Sequence, residues 1–272
     1  MTRGAPARSR SARTGARLAA ALLLAALAGG CRTVVDAGAP LAPDDPALRG
    51  RLAALRERSA RRSALRGLAH VALDAPGARL SRPQRVVAER PARLRVEVLG
   101  LFDQVAGIVA TDGARFAFVD LASGRREEGP VDDDLLWRTA RIDLAPSEAV
   151  ALLLGAPPID DGAHVVAARS FADGAIAATL AVSDAARAEP ARLELEWDGA
   201  GELRRAARTD ASGERWSARF GDVRDAGGRP FAHDIALEFP RVGASARIEF
   251  RSVELDPVLS PGLFVLQVPR GG

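Results

Sequence analysis

A single cysteine, Cys31, occurs in the 272 residues, so no internal disulfide can form and stability has to come from a packed core. The chain contains no Lys, Asn or Tyr, and all 38 basic residues are Arg, a bias that reads as the codon usage of a GC-rich genome more than as chemistry. Histidine occurs three times, at His70, His164 and His233. With G-x-S-x-G, H-E-x-x-H and Gly-rich phosphate loops also absent, no catalytic constellation exists, and an enzyme is not expected. His70 and His164 read as partly buried structural residues. His233 and Asp234 fall on opposite faces of a strand-like run, which argues against an acid/base pair. No cofactor or metal site is expected either. Asp132, Asp133 and Asp134 precede a helix-like segment, where carboxylates ordinarily cap the first turn and oppose its dipole. Asp160-Asp161-Gly162 reads as a turn. The apolar run Leu18 to Ala28 has eleven residues, too few for a spanning helix, which needs about 20.

That run has a different meaning. Five arginines and no acid occur in the first thirty residues, followed by Leu18 to Ala28 and then "LAGGC". A charged segment and a short apolar core make an export signal over residues 1–30. The "LAGGC" stretch resembles the lipobox of bacterial lipoproteins, with Ala28 at the position that usually holds Leu or Val. The resemblance implies cleavage before Cys31 and acylation of its thiol. The competing reading is an ordinary export signal with a chance cysteine. Arg32 follows the cysteine where, by the same resemblance, an Asp would retain the protein in the inner membrane, so the outer membrane is expected, with the protein on its periplasmic face. Two or three acyl chains make such anchoring effectively permanent, whereas one gives only marginal binding.

Removing the five signal arginines from the 38 leaves 33 basic against 35 acidic residues, a net of −2. The high isoelectric point is therefore no argument for nucleic acid, and none is expected as a partner. Residues 31–45 are rich in Ala, Pro, Asp and Gly without periodicity and suit a tether. The domain is expected over 46–272. Asp45 followed by Pro46 makes an N-cap and first helical residue, and Leu48, Leu52 and Leu55 share one face of a helix reaching roughly Arg62.

From Leu65 the period changes to two. Leu94, Val96 and Val98 alternate with Arg93, Arg95 and Glu97, and Leu193, Leu195 and Trp197 with Arg192, Glu194 and Glu196. The pattern recurs at Trp216, Ala218 and Phe220, at Ile235, Leu237 and Phe239, and at Ile248 and Phe250. One wet face and one apolar face predict about ten antiparallel strands, with tight turns at Asp112-Gly113, Asp173-Gly174 and Asp198-Gly199. Two helix-like pieces, roughly Asp132 to Thr139 and Pro146 to Leu154, interrupt the sheet. They are strongly apolar, so they must cover something. The fold class expected is α+β, mostly antiparallel β: a curved incomplete barrel with an N-terminal helix and short lid helices over an apolar concavity. The inward positions expected to line it are Val96, Val98, Phe116, Phe118, Leu195, Trp197, Phe220 and Leu237. Leu135, Leu136, Val150 and Leu153 are expected on the lid. Whether the inner face is an open cavity or a core filled by its own side chains stays undecided at this level.

One turn breaks its type. Between two early strands, Gly100-Leu101-Phe102-Asp103-Gln104 places two large apolar side chains where turn residues normally stand. Its context, "RLRVEVLGLFDQVAGIVATDGARFAFVD", together with "RTARIDLAPSEAVALLLGAPP", the ending "DPVLSPGLFVLQVP", the lipobox and the tether, resembles the LolA/LolB outer-membrane lipoprotein-sorting superfamily, nearest its LolB-like lipoproteins. The resemblance implies a cavity that accepts acyl chains of a lipoprotein in transit, and insertion of that cargo into the outer membrane. It places Leu101 and Phe102 on a protruding loop that enters acyl chains or bilayer. The partners it implies are outer-membrane lipid, acylated lipoprotein cargo and a soluble LolA-like periplasmic carrier, with the protein itself a monomer. The alternative is a structural or envelope-assembly lipoprotein of the same fold with a filled core. The arginines, alternating along strands, read as a solvated face or as a docking surface for an acidic partner or lipid headgroups.

Overall fold

A computed structural model describes Met1, residues 37–183 and residues 190–266. The export-signal segment, apart from Met1, the lipidation position Cys31 and the start of the tether lie outside the described residues. Alternating sequence becomes antiparallel sheet throughout. The elements are β1 (Ala39–Pro40), α1 (Pro46–Ala60), β2 (Ala64–Ala75), β3 (Ala78–Glu89), β4 (Arg93–Leu99), β5 (Val105–Thr111), β6 (Arg115–Asp120), β7 (Arg126–Pro130), α2 (Leu135–Ala140), α3 (Pro146–Leu153), β8 (His164–Ser170), β9 (Ile176–Ser183), β10 (Pro190–Trp197), β11 (Leu203–Asp210), β12 (Gly213–Asp225), β13 (Pro230–Phe239) and β14 (Ala244–Leu255).

The strands form one 14-stranded sheet ordered β1-β8-β9-β10-β11-β12-β13-β14-β2-β3-β4-β5-β6-β7. The last strand, β14, returns to pair with β2, which joins two consecutive meanders. The ends, β1 and β7, do not pair, so the barrel stays incomplete. Register shifts in β4, β8, β10, β11 and β14 curl the sheet. The strands outnumber the ten expected because β1 has two residues and "REEGP" in β7 has no apolar alternation to betray it. Residues Ala39 and Pro40, inside the segment read as tether, pair with Ser170 and Arg169 of β8.

The expected helix start is realised: the Asp45 carboxylate accepts from the Ala47 N–H at 2.8 Å, and Pro46 follows. Leu48, Leu52 and Leu55 are buried. The helix ends at Ala60, and Arg62, expected at its end, turns inward instead to donate to the carbonyls of Leu154 and Pro230. Burial, then the neighbouring Arg58 and Arg229, lower its pKa to about 10, so it stays charged at neutral pH. Arg51 reaches the Gly199 carbonyl and Arg58 pairs with Glu202 at 2.7 Å. Helix α1 thereby closes the barrel end formed by the β10–β11 and β12–β13 turns. Among the described residues no helix is long and apolar enough to cross a membrane.

The expected turns hold with one shift. Gly113 and Gly174 take positive φ, but in Asp198-Gly199-Ala200-Gly201 the left-handed residue is Gly201. Gly199 is needed for space: a Cβ there would lie 2.3 Å from the Asp173 carbonyl of the neighbouring turn. On the convex face, cross-strand arginine–carboxylate pairs follow directly from the alternation. Arg205 meets Glu194, Glu196 and Glu214, Arg219 meets Glu238, and Arg247 meets Asp234. Such wet pairs contribute about 0–1 kcal/mol each. They support the solvated-face reading of these arginines. His164 is exposed rather than partly buried, because it opens β8 at a turn. His70 bonds Ser81 on the outer face at 2.9 Å. His233 is buried with its Nδ1 3.0 Å from the Phe231 carbonyl, while Asp234 faces Arg247 on the other side.

Asp256, just past β14, ties three segments together. It accepts from Ser63 and Ala64, at the start of β2, and from Arg229 in the β12–β13 turn. Burial alone would raise its pKa, but the hydrogen bonds from Arg229, Ser63 and Ala64 outweigh it and hold the carboxyl at about 2, against 3.8 ordinarily. A depressed carboxyl stabilises the fold above its unfolded pKa and loses that contribution as pH falls through the folded one. The stability advantage of wild type over Asp256→Asn is thus expected to be full above about pH 4 and to shrink towards pH 2, read by urea denaturation across that range. An advantage independent of pH would remove the clasp from the account.

Candidate binding cavity

Inward residues of the sheet meet two different fates. Over β10 to β12 the concave face is packed solid: Leu195, Trp197 and Phe220 are buried in one cluster with Leu48, Leu52 and Leu55 of α1 and Val150 and Leu154 of the lid. Over β2 to β6, with β13 and β14, the same face is open. There a cavity of ≈ 590 Å³ is walled by Val86 of β3, Val96 and Val98 of β4, Ile108 of β5, Phe118 of β6 and Leu237 of β13. Its roof is Leu136, Thr139 and Ala140 of α2, the link residues Ile142 and Leu144, and Ala149, Leu152 and Leu153 of α3. The volume lies within the range of ligand sites, about 300–1,000 Å³, and the walls are aliphatic as such sites usually are.

Of the residues expected to line it, Val96, Val98, Phe118, Leu237, Leu136 and Leu153 do. Leu195, Trp197 and Phe220 do not; they are buried in the core away from the cavity. Phe116 shares the inward face with Phe118 but does not border the cavity, and the Arg138 guanidinium of α2 lies over its ring, 5.5 Å from the centroid. Leu135 and Val150 are fully buried within the lid rather than at the cavity wall.

The lid is fastened at one end by a buried carboxylate. Glu148, in the first turn of α3, accepts from the Ala145 N–H at 3.0 Å, from Arg215 of β12 with both oxygens at 2.9 and 3.1 Å, and from the Trp216 indole at 3.1 Å. Arg215 also reaches Asp143 in the link before α3. The carboxylates before α2 behave otherwise than expected. Asp134 occupies the N-cap position without a side-chain cap bond, and Asp132 instead grips Arg138 with both oxygens at 2.7 Å. A guanidinium within reach of the carboxylate outcompetes the backbone N–H as a donor.

The mouth lies where Gly77, Ala78, Arg79, Asp120 and Ala122 line the cavity, at the end opposite α1. The Gly100–Gln104 loop rises from that rim. Leu101 is 81% and Phe102 89% exposed. Their loop is shaped by polar bonds, not by packing: Gly100 N–H to Gln104 O at 2.8 Å, Asp103 N–H to Gly100 O at 3.3 Å, and Phe102 N–H to the Gln104 side chain at 2.9 Å. Gly100 has no room for a side chain because the Gln104 amide folds over it. Leu121, in the β6–β7 turn, stands beside this loop, with its N–H on the Ala106 carbonyl at 2.9 Å and 55% of its surface exposed. The sequence signal was present in "DLASG", an apolar residue in a polar turn, but it lies nineteen residues and two strands beyond Phe102. Gln84 was also missed; it holds an inward position among apolar neighbours in the cavity wall. Among the described residues no group of three His, Cys, Asp or Glu side chains converges as a metal site would.

The sequence matches no family model and no curated protein. The fold, in contrast, is similar to that of solved structures. A LolA superfamily protein from Nitrosomonas europaea aligns over 79% of this chain and 97% of its own with a TM-score of 0.52 at 13% identity. A putative outer membrane lipoprotein-sorting protein domain from Vibrio parahaemolyticus aligns over 80% and 97%, TM-score 0.53, at 12% identity. A DUF1329 family protein from Desulfovibrio piger aligns over 81% and 98%, TM-score 0.54, at 15% identity.

Removing the Glu148 carboxylate leaves a buried guanidinium short of its partner and an indole N–H without one, a change that costs about 3–5 kcal/mol. Glu148→Ala is expected to lower unfolding free energy by that amount in urea. A loss below about 1 kcal/mol would mean that the lid is held by its leucines alone.

Proposed function

We propose that this protein is a lipoprotein anchored through Cys31 to the periplasmic face of the outer membrane, where it takes up acyl chains of lipoproteins, or of lipids, and helps insert them into that membrane. The observation that carries this reading is the pairing of an open aliphatic cavity with exposed apolar side chains, Leu101, Phe102 and Leu121, at its mouth. Each acyl chain of about 16 carbons costs on the order of 12 kcal/mol to expose to water. A receiver must therefore offer a dry cavity and a greasy path into it, and both occur at one end of this barrel. The opposite end is closed by α1. Arg32 after Cys31, in place of Asp, supports the outer membrane as the destination. A soluble LolA-like carrier would deliver the cargo, and a monomer suffices, since one chain supplies cavity, lid and tip. The role is binding and transfer, not catalysis. The open half of the concave face favours this reading over an envelope lipoprotein with a filled core.

Two measurements test the proposal. The purified soluble domain is expected to bind a fluorescent fatty acid or to carry copurifying lipid; a probe-silent protein with no lipid would count against transport. Phe102→Glu and Leu121→Glu are each expected to abolish transfer of an acylated peptide into vesicles while changing stability by less than about 0.5 kcal/mol, as exposed positions do. Retained transfer in the double variant would exclude the apolar rim from the mechanism.

A further inference from the structure

The cavity wall has one polar side chain that forms no hydrogen bond to any described residue. Gln84 is 5% exposed, and its amide makes no hydrogen bond to any described residue. The other polar groups of the wall are accounted for: the Thr139 hydroxyl donates to the Leu135 carbonyl at 2.8 Å, Asp120 accepts from Ala122 and Ser123, and Arg79 pairs with Asp74. In register, Gln84 lies between Ala69 of β2 and Val98 of β4, both inward, so its amide belongs to the concave face. The amide atoms are not sealed in the core but reach the cavity space, where a ligand group can meet them.

Its depth suggests the use. The pair Gln84–Val98 is next to the end of β4, one residue below Leu99, after which the loop carrying Leu101 and Phe102 begins. Deeper along the same strands the wall is hydrocarbon only, with Val86 and Val96 and then Leu94. An acyl chain entering from the mouth therefore finds apolar wall for its tail and a single amide, capable of donating and accepting, near the position of its carbonyl end.

We propose that Gln84 is a specificity-determining residue that donates a hydrogen bond to the ester or amide carbonyl of a bound acyl chain, holding the chain tail-inward. This rests on the lipid-cavity reading above and adds to it the recognised chemistry, an acyl carbonyl and not hydrocarbon alone. The carbonyl could belong to an acylated cysteine or to a glycerophospholipid.

Competition against a fluorescent fatty acid distinguishes these. Four competitors are needed: a synthetic triacylated cysteine peptide, dipalmitoyl phosphatidylethanolamine, and the ether analogue of each, in which ester carbonyls are replaced by methylenes. Wild type is expected to prefer ester over ether by about tenfold, the worth of one buried hydrogen bond. The competitor with the larger preference identifies the source of the carbonyl. Gln84→Leu is expected to erase the preference while leaving ether binding and melting temperature unchanged or raised, since it removes a polar group from an apolar wall. Gln84→Met, unbranched, serves if Leu crowds Val98. An ester-to-ether ratio that is the same in wild type and both variants overturns this assignment but leaves the cavity function standing. If wild type binds neither the fatty acid nor any competitor, the lipid-cavity reading falls and this one with it.

Discussion

An antiparallel sheet whose inner face is apolar and whose edges do not meet cannot leave that face in water. Everything else in this structure answers that constraint. Cross-strand pairing satisfies the backbone, and the outer face is wet and charged, so the remaining problem is the concavity. Helix α1 and the Glu148-anchored end of the lid cover β10 to β12 by direct packing. The rest of the lid spans β2 to β6 without filling it, because Leu136, Leu152 and Leu153 reach the cavity edge and no further large side chain follows. The result is half packed core and half open cavity within one sheet, and the two readings that the sequence left open both turn out to describe part of the molecule.

Polar groups inside this apolar frame fall into two kinds. Glu148, Arg215 and Asp143 satisfy one another and fix where α3 sits against β12. A buried ion network of this type contributes little net stability over a hydrophobic equivalent, but losing one partner is expensive, so it acts as a positional constraint on the lid. Gln84 is the opposite case, an amide with space in front of it and no hydrogen-bond partner among the described residues. The tip reverses the usual rule in the same way. Leu101 and Phe102 lie in water, while Gly100, Asp103 and Gln104 do the structural work of the turn through hydrogen bonds.

Much of the architecture was legible in the residues. Asp45-Pro46 marked the first helix within two residues of its observed end, and alternation at Leu193, Leu195 and Trp197 or at Ile235, Leu237 and Phe239 gave the inward faces correctly. Burial confirms every one of these as interior. Periodicity reports which face a side chain takes, because that depends only on the chain's own pleat. It does not report what stands opposite. Phe116 and Phe118 have the same parity, and each has a guanidinium 5.5 Å from its ring centroid, Arg138 and Arg125, yet only Phe118 borders the cavity. The capping chemistry was less secure for a related reason: Asp132 bonds the Arg138 guanidinium of the helix it precedes, six residues on, instead of a first-turn N–H.

By itself, then, the amino-acid sequence determined the strand-dominated class, the two-faced strands, the helical interruptions, the oddity of Leu101-Phe102 and the expectation of lipidation at Cys31, all of them properties of short stretches of chain. Tertiary structure alone decided which inward residues pack and which border space, that Leu121 joins the apolar rim, and that Gln84 faces the cavity with no hydrogen-bond partner among the described residues. Those depend on elements far apart in the chain meeting across a curved sheet, and curvature is set by bulges and by pairing between distant strands such as β14 and β2, for which no local pattern codes.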